Sequence, residues 1–181
     1  MKRRTIGVSF LAVLALSTVS CGAVQNDEPS PAEPSSRSAG PPLDARGRSA
    51  CSVLAREQLA SVSMDSTTAV DRSNSIATAC GWKAIDGSGS MTLVINVDQP
   101  LELILAARGV VNQFEEFELR GYRAVREGGR DQSLCSVYVG IAKSQVFVVE
   151  MGTRSTDVTV RPCDVAQMGA EAVLDSLSSR S

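Results

Sequence analysis

The chain has 181 residues, with 18 lysines and arginines against 20 aspartates and glutamates and no histidine. That length allows one domain of ordinary size with a leader and excludes two comfortable cores. The missing histidine excludes Ser-His-Asp and Cys-His chemistry, and an acidic balance without a basic, aromatic-interleaved patch excludes nucleic acid as a partner.

Met1-Lys2-Arg3-Arg4 makes a positive start, and Ile6 to Val19 is an apolar run of 14 residues. That run is too short to cross a hydrocarbon core of ~30 Å as a helix, so it reads as a secretion signal. Thr18-Val19-Ser20-Cys21-Gly22 resembles a lipobox, in which a small residue before the cysteine lets a signal peptidase cut once the thiol is lipidated. Thr18 departs from the leucine usual at its position. Cys21 is the expected lipidation site, and the mature chain is expected to be lipid-anchored on the extracytoplasmic face of the cell membrane. Residues 1–20 would leave as signal peptide with three basic and no acidic residues, so the mature chain keeps 15 cations against 20 anions. The balance speaks mainly to solubility.

From Gly22 to about Arg48 the sequence reads as a tether. It holds Pro29, Pro31, Pro34, Pro41 and Pro42 among many Ser, Ala and Gly. With almost no large apolar side chain, it cannot offset the entropy of ordering and is expected to be disordered. As a coil it would span roughly 30 Å, and roughly 80 Å if extended. The folded domain is expected over residues 49–181.

Four cysteines remain in the mature chain besides Cys21: Cys51, Cys80, Cys135 and Cys163. An even number in an exported chain reads as two disulfides. Zinc is the competing use, but with no histidine and no C-x-x-C pair no metal is expected. Of the three connectivities, the sequential one closes the two shortest loops, each worth about 3.5 kcal/mol on the chain-entropy model.

Cys51 to about Ser63 carries Val53, Leu54, Leu59, Ala60 and Val62 near one face and reads as a helix. Thr78 to Ile85 and Met91 to Val97 read as strands of a hairpin around Asp86-Gly87-Ser88-Gly89-Ser90. Beyond Pro100, the run Leu101 to Gly109 suggests a helix that extends or restarts through Val110 to Glu118. Gly121 to Arg126, Leu134 to Ala142 and Gln145 to Met151 read as three further strands. Val146-Phe147-Val148-Val149 is apolar on both faces, so the last of these should be central. Cys163 to Leu177 closes the chain as a helix with Val165, Met168, Ala172, Val173 and Leu177 in one stripe.

This order is α+β: a single antiparallel sheet of about five strands with N-terminal and C-terminal helices packed on it and two disulfides. In it the sequential pairs Cys51 to Cys80 and Cys135 to Cys163 each join a helix to the sheet, a local consistency that favours them.

A cysteine opening a helix (Cys51-Ser52-Val53-Leu54), a Cys-x-Trp on a strand (Cys80-Gly81-Trp82), a cysteine on a later strand (Cys135-Ser136-Val137) and a Pro-Cys leading a terminal helix (Pro162-Cys163-Asp164) follow in that order. Together, behind a lipobox and a Pro-rich tether, they resemble the actinobacterial lipoproteins catalogued as domain of unknown function 3558. The resemblance runs from Cys51 to about Leu177 and implies an envelope lipoprotein with no assigned activity. The outline is also similar to the small domains of the photosystem-II subunit P and Mog1 type, which bears on fold alone.

No catalytic residue is expected. Glu115, Glu116 and Glu118 read as a solvated acidic face, as do Asp157 and Asp164. Trp82 reads as core beside a disulfide, and Tyr122 and Tyr138 are the aromatic residues available to a groove. No cofactor is expected. The expected function is a non-catalytic binding or interaction module held at the membrane through Cys21, with an envelope protein or wall component as partner. The alternative is an enzyme of unrecognised type acting on an envelope substrate. A concave pocket with convergent polar groups, or an acid with a raised pKa, would separate the two.

Overall fold

A computed structural model describes residues 40–106, 113–128, 133–154 and 161–179. Among these residues the elements run α1 (Ala50–Val53), α2 (Arg56–Ser61), β1 (Met64–Asp71), β2 (Thr78–Ala84), β3 (Gly89–Asn96), α3 (Leu101–Leu105), β4 (Gln113–Leu119), β5 (Tyr122–Gly128), β6 (Leu134–Ala142), β7 (Gln145–Thr153) and α4 (Pro162–Ser178). The strands form one sheet in the order β1-β2-β3-β7-β6-β5-β4. Every pairing is antiparallel. Two meanders, β1 to β3 and β4 to β7, therefore meet at the β3–β7 seam. Strand β7 is the middle strand, as its two-sided apolar sequence requires: Phe147, Val149 and Met151 are buried on one face and Val146 on the other.

The sheet has seven strands rather than about five, and the two that pattern reading misses are its edges. In β1 the sequence Met-Asp-Ser-Thr-Thr-Ala-Val-Asp buries only Met64, so no alternation exists to be read, and a register break lies between Asp65 and Val70. In β4 the spacing of Phe114 and Phe117 imitates a helical period. Yet the segment is a strand, with Phe117 packed on the main core and Phe114 on the smaller cluster of the opposite face. The helix expected over Leu101 to Gly109 and on to Glu118 is thus the short α3 followed by β4. Polar, charged edge strands are how sheets avoid pairing with other chains.

The expected N-terminal helix over Cys51 to Ser63 is also corrected. It is broken at Leu54 and Ala55, both extended, into α1 and α2. The break lets Val53 and Leu54 both reach the core, at 3% and 5% exposure. The C-terminal helix stands as expected, with its stripe rotated: Ala166, Ala170, Val173, Leu174 and Leu177 are buried while Met168 is 48% exposed. Small residues bring α4 close to the sheet. A Cβ added at Gly169 would stand 3.0 Å from Met91 Sδ and 3.1 Å from Val149 Cγ1.

Helices α1, α2 and α4 cover one face, where Trp82, Met91, Leu93, Val137, Phe147 and Val149 form the core with them. The disulfides Cys51–Cys80 and Cys135–Cys163 tie α1 to β2 and α4 to β6.

The tether boundary at Arg48 is placed too late. Gly40 to Arg48 is a strap on the domain. The Gly40 amide donates to Gly121 O at 2.8 Å and the Leu43 amide to Ile141 O at 2.9 Å. Tyr122 Oη donates to Pro41 O at 2.8 Å, and the Ala45 amide donates to Gln145 Oε1 at 2.9 Å. Leu43 and Ala45 are buried. Two buried side chains and a set of satisfied backbone groups suffice to order a short run whose composition alone looks unstructured. Residues 22–39 of the expected tether lie outside the described residues.

Candidate functional site

Alternation along each strand sends neighbouring side chains to opposite faces. Among the described residues, the face away from α4 is the one left largely uncovered. There the register draws one row across all seven strands: Val70, Gly81, Thr92, Glu150, Ser136, Glu127 and Phe114. The next row carries Val94, Val148, Tyr138 and Val125. Among the described helices, α3 alone sits over this side. Its Leu101, Ile104 and Leu105 gather with Val125, Val146, Phe114 and Tyr138 in a small cluster at the β5–β6 side.

Tyr138 therefore stands between an apolar cluster and two carboxylates. Burial, and after it the charges of Glu127 and Glu150, push its phenol up to about 12. Glu150 is half-buried, and burial followed by the nearby Glu127 charge raises its carboxyl above the ordinary value. Neither glutamate has an ion-pair partner among the described residues. A phenol so reluctant to ionise is a hydrogen-bond donor at neutral pH and no base. The arrangement presents carboxylate acceptors and the hydroxyls of Tyr138 and Ser136, which hydrogen-bond each other.

Beside α3, where the strap meets the sheet, lies a concavity of about 800 Å³. Pro42, Leu101, Gly140 and Ile141 form its apolar wall, with Glu102, Arg123 and Lys143 at the rim. Gly140 is needed there, since a Cβ would lie 3.1 Å from Leu101 Cβ. Arg123 bridges Glu102 at 3.2 Å and Glu116 at 3.4 Å.

The residues weighed from sequence are scattered. Cys21 and Asp157 lie outside the described residues. Glu115 pairs with Arg126 at 3.0 Å and Asp164 with Arg161 at 2.8 Å, and Glu118 is exposed on the β4 edge. Trp82 is buried in the core at 2% exposure, and Tyr122 is committed to the strap. Tyr138 stands on the uncovered face, as do Glu116 and Glu118 at its β4 edge. Glu127, Ser136 and Glu150 escape sequence reading because their proximity depends on strand register. The one available signal was the polar half of the alternation in β6 and β7. Among the described residues, no three His, Cys, Asp or Glu side chains gather as metal ligands, and no helix is long and apolar enough to cross a membrane.

No curated protein and no solved structure matches the chain. A family profile described as "Protein of unknown function (DUF3558)" matches residues 16–176. That span takes in both disulfides, every described strand and nearly all of α4, so the chain belongs to the DUF3558 family.

Proposed function

We propose that this protein is an envelope lipoprotein, anchored to the extracytoplasmic face of the cell membrane through Cys21, that acts as a non-catalytic binding module with the uncovered face of its sheet. One observation carries the binding half: helices and both disulfides close one face, while the other keeps half-buried Glu150 and Tyr138 and an 800 Å³ concavity open. Half-burying carboxylates without a cationic partner among the described residues costs stability, which is the signature of a surface kept for a partner. The anchor half draws support from the lipobox-like Thr18 to Gly22 and from a family match that begins at residue 16, ahead of Cys21.

The alternative of an enzyme acting on an envelope substrate draws on the raised pKa of Glu150 beside Glu127. Its phenol is no base, and Ser136 is hydrogen-bonded to Tyr138, so binding is the better reading.

Two measurements test the proposal. The wild type should enter the detergent phase with the mass of a diacylglyceryl adduct and Cys21→Ala should not. A cleaved but unlipidated wild type removes the anchor. A photo-cross-linking residue at Leu103, 60% exposed on α3, should capture an envelope component, whereas one at Met168, 48% exposed on α4, should capture none. Equal capture from both sides removes the binding face.

A further inference from the structure

Five of the nine arginines among the described residues pair with a named carboxylate. Arg46 pairs with Asp44, Arg120 with Glu171 and Asp175, Arg123 with Glu102 and Glu116, Arg126 with Glu115, and Arg161 with Asp164. Arg72, Lys83 and Arg154 do not: among the described residues none of them has a carboxylate within salt-bridge distance. All three line one concavity of about 270 Å³ at the β1–β2–β3 corner of the uncovered face. Three like charges gathered at one concavity repel one another, and the carboxylate nearest in register, Asp65 opposite Lys83, accepts from Thr67 instead of closing an ion pair.

The concavity is built to hold them there. The backbone amide of each cation is pinned: Arg72 to Ala79 O at 2.9 Å, Lys83 to Thr68 Oγ1 at 2.9 Å and Arg154 to Ser88 O at 2.9 Å. Arg72 lies across the β2 backbone at Gly81, where an added Cβ would stand 3.0 Å from its Nε. A glycine at mid-strand gives up packing and entropy, and here it makes room for a guanidinium. Ser90 and Thr92 also line the concavity. Finally, Val70 and Ile85, exposed by 51% and 66%, stand at the same place.

We infer that this corner binds a phosphoester anion carried on an apolar group, as in the headgroup of an anionic lipid. Two guanidinium forks and an ammonium match a phosphoryl group in charge and donor geometry. Val70 and Ile85 supply the contact for the apolar part, and the volume suits a headgroup rather than a large ligand. The inference rests on the reading of the uncovered face as the binding surface.

Titration heat serves as the reporter, because the ring of Trp82, the sole tryptophan, lies in the core of the covered face. The purified full chain in uncharged dodecyl maltoside micelles is titrated with phosphatidic acid or diacylglycerol doped into the micelle, and with glycerol 3-phosphate in solution. Phosphatidic acid should give a saturable binding isotherm at least about tenfold tighter than glycerol 3-phosphate, and diacylglycerol should be silent. Arg72→Ala and Arg154→Ala should each weaken the response about tenfold, the loss of one charge-assisted contact. Gly81→Ala, which keeps every charge and displaces Arg72, should weaken it severalfold. Lys143→Ala, at the other concavity, should leave it unchanged.

An equal response to glycerol 3-phosphate, a response to diacylglycerol, or a phosphatidic acid response that survives Arg72→Ala with Arg154→Ala overturns the inference. If it fails while cross-linking from Leu103 persists, the inference alone falls. If both fail, the binding face falls with it.

Discussion

The two faces of the sheet are built on opposite terms. The covered face is apolar from Trp82 to Val149, closed by α4 and stapled twice. The uncovered face carries charges of both signs, with Glu127 and Glu150 near its centre and Arg72, Lys83 and Arg154 at one corner. Strand alternation lets one chain serve both, because consecutive residues answer to different selection. Stability can be concentrated on one side, leaving the other free to hold side chains that stability alone would not choose.

Adjacent residues of β7 give the sharpest test. Phe147→Ala, on the covered face, should cost about 3–5 kcal/mol. Val148→Ala, one residue on and half-buried on the other face, should cost about 1 kcal/mol. Urea unfolding measures both, and equal losses would mean that the two faces share the load.

Cys163→Ser should come next, at about 2–5 kcal/mol, by freeing α4 from β6. Arg72→Ala should stay within about 0.5 kcal/mol, as a surface change remote from the core does. A thermal melt that ranks them the other way would contradict the division of labour.

The strap makes a third contrast. Removing residues 1–39 should leave the melting curve of the domain nearly unchanged. Removing residues 1–48 should cost about 2–3 kcal/mol through Leu43 and its hydrogen bonds. Equal effects would place the boundary back at Arg48.

The smallest effect belongs to Glu150. Its carboxyl holds its proton more tightly folded than unfolded. The stability it contributes is therefore present in acid, below its ordinary value of 4.5, and lost as pH rises through the folded value. Glu150→Gln should raise stability at neutral pH by less than about 1 kcal/mol after solvent screening, with the gain vanishing in acid. A destabilising change at neutral pH would show that the charge is paired.

Much of the covered face was legible in the sequence. Strand β6 runs from Leu134 to Ala142 as its alternation indicates, β7 is central as Val146 to Val149 imply, and the sequential cysteine pairs each join a helix to the sheet. These features are local or follow from burial. Edge strands β1 and β4 were not legible, since β1 buries only Met64 and β4 sends one phenylalanine to each face, which leaves no alternation to read. The uncovered face was least legible of all. Glu150, Ser136 and Glu127 lie 14 and 9 positions apart in sequence and become neighbours only through register. Likewise Arg72, Lys83 and Arg154 meet only after β7 has paired with β3.

That seam has a consequence for assembly. Cys51–Cys80 lies wholly within the first meander and its preceding helix, and Cys135–Cys163 within the second and its following helix. Neither crosses from β3 to β7, whose partners stand 50 to 64 positions apart in the chain. Under the proposed export, amino end first, the first half can complete its oxidation before the second has arrived. The slow, non-local step is then the docking of two cross-linked halves, carried by backbone pairing and by the closing of apolar surface alone. Reductant added after that docking would loosen each half from within, while the join between them would have no covalent bond to lose.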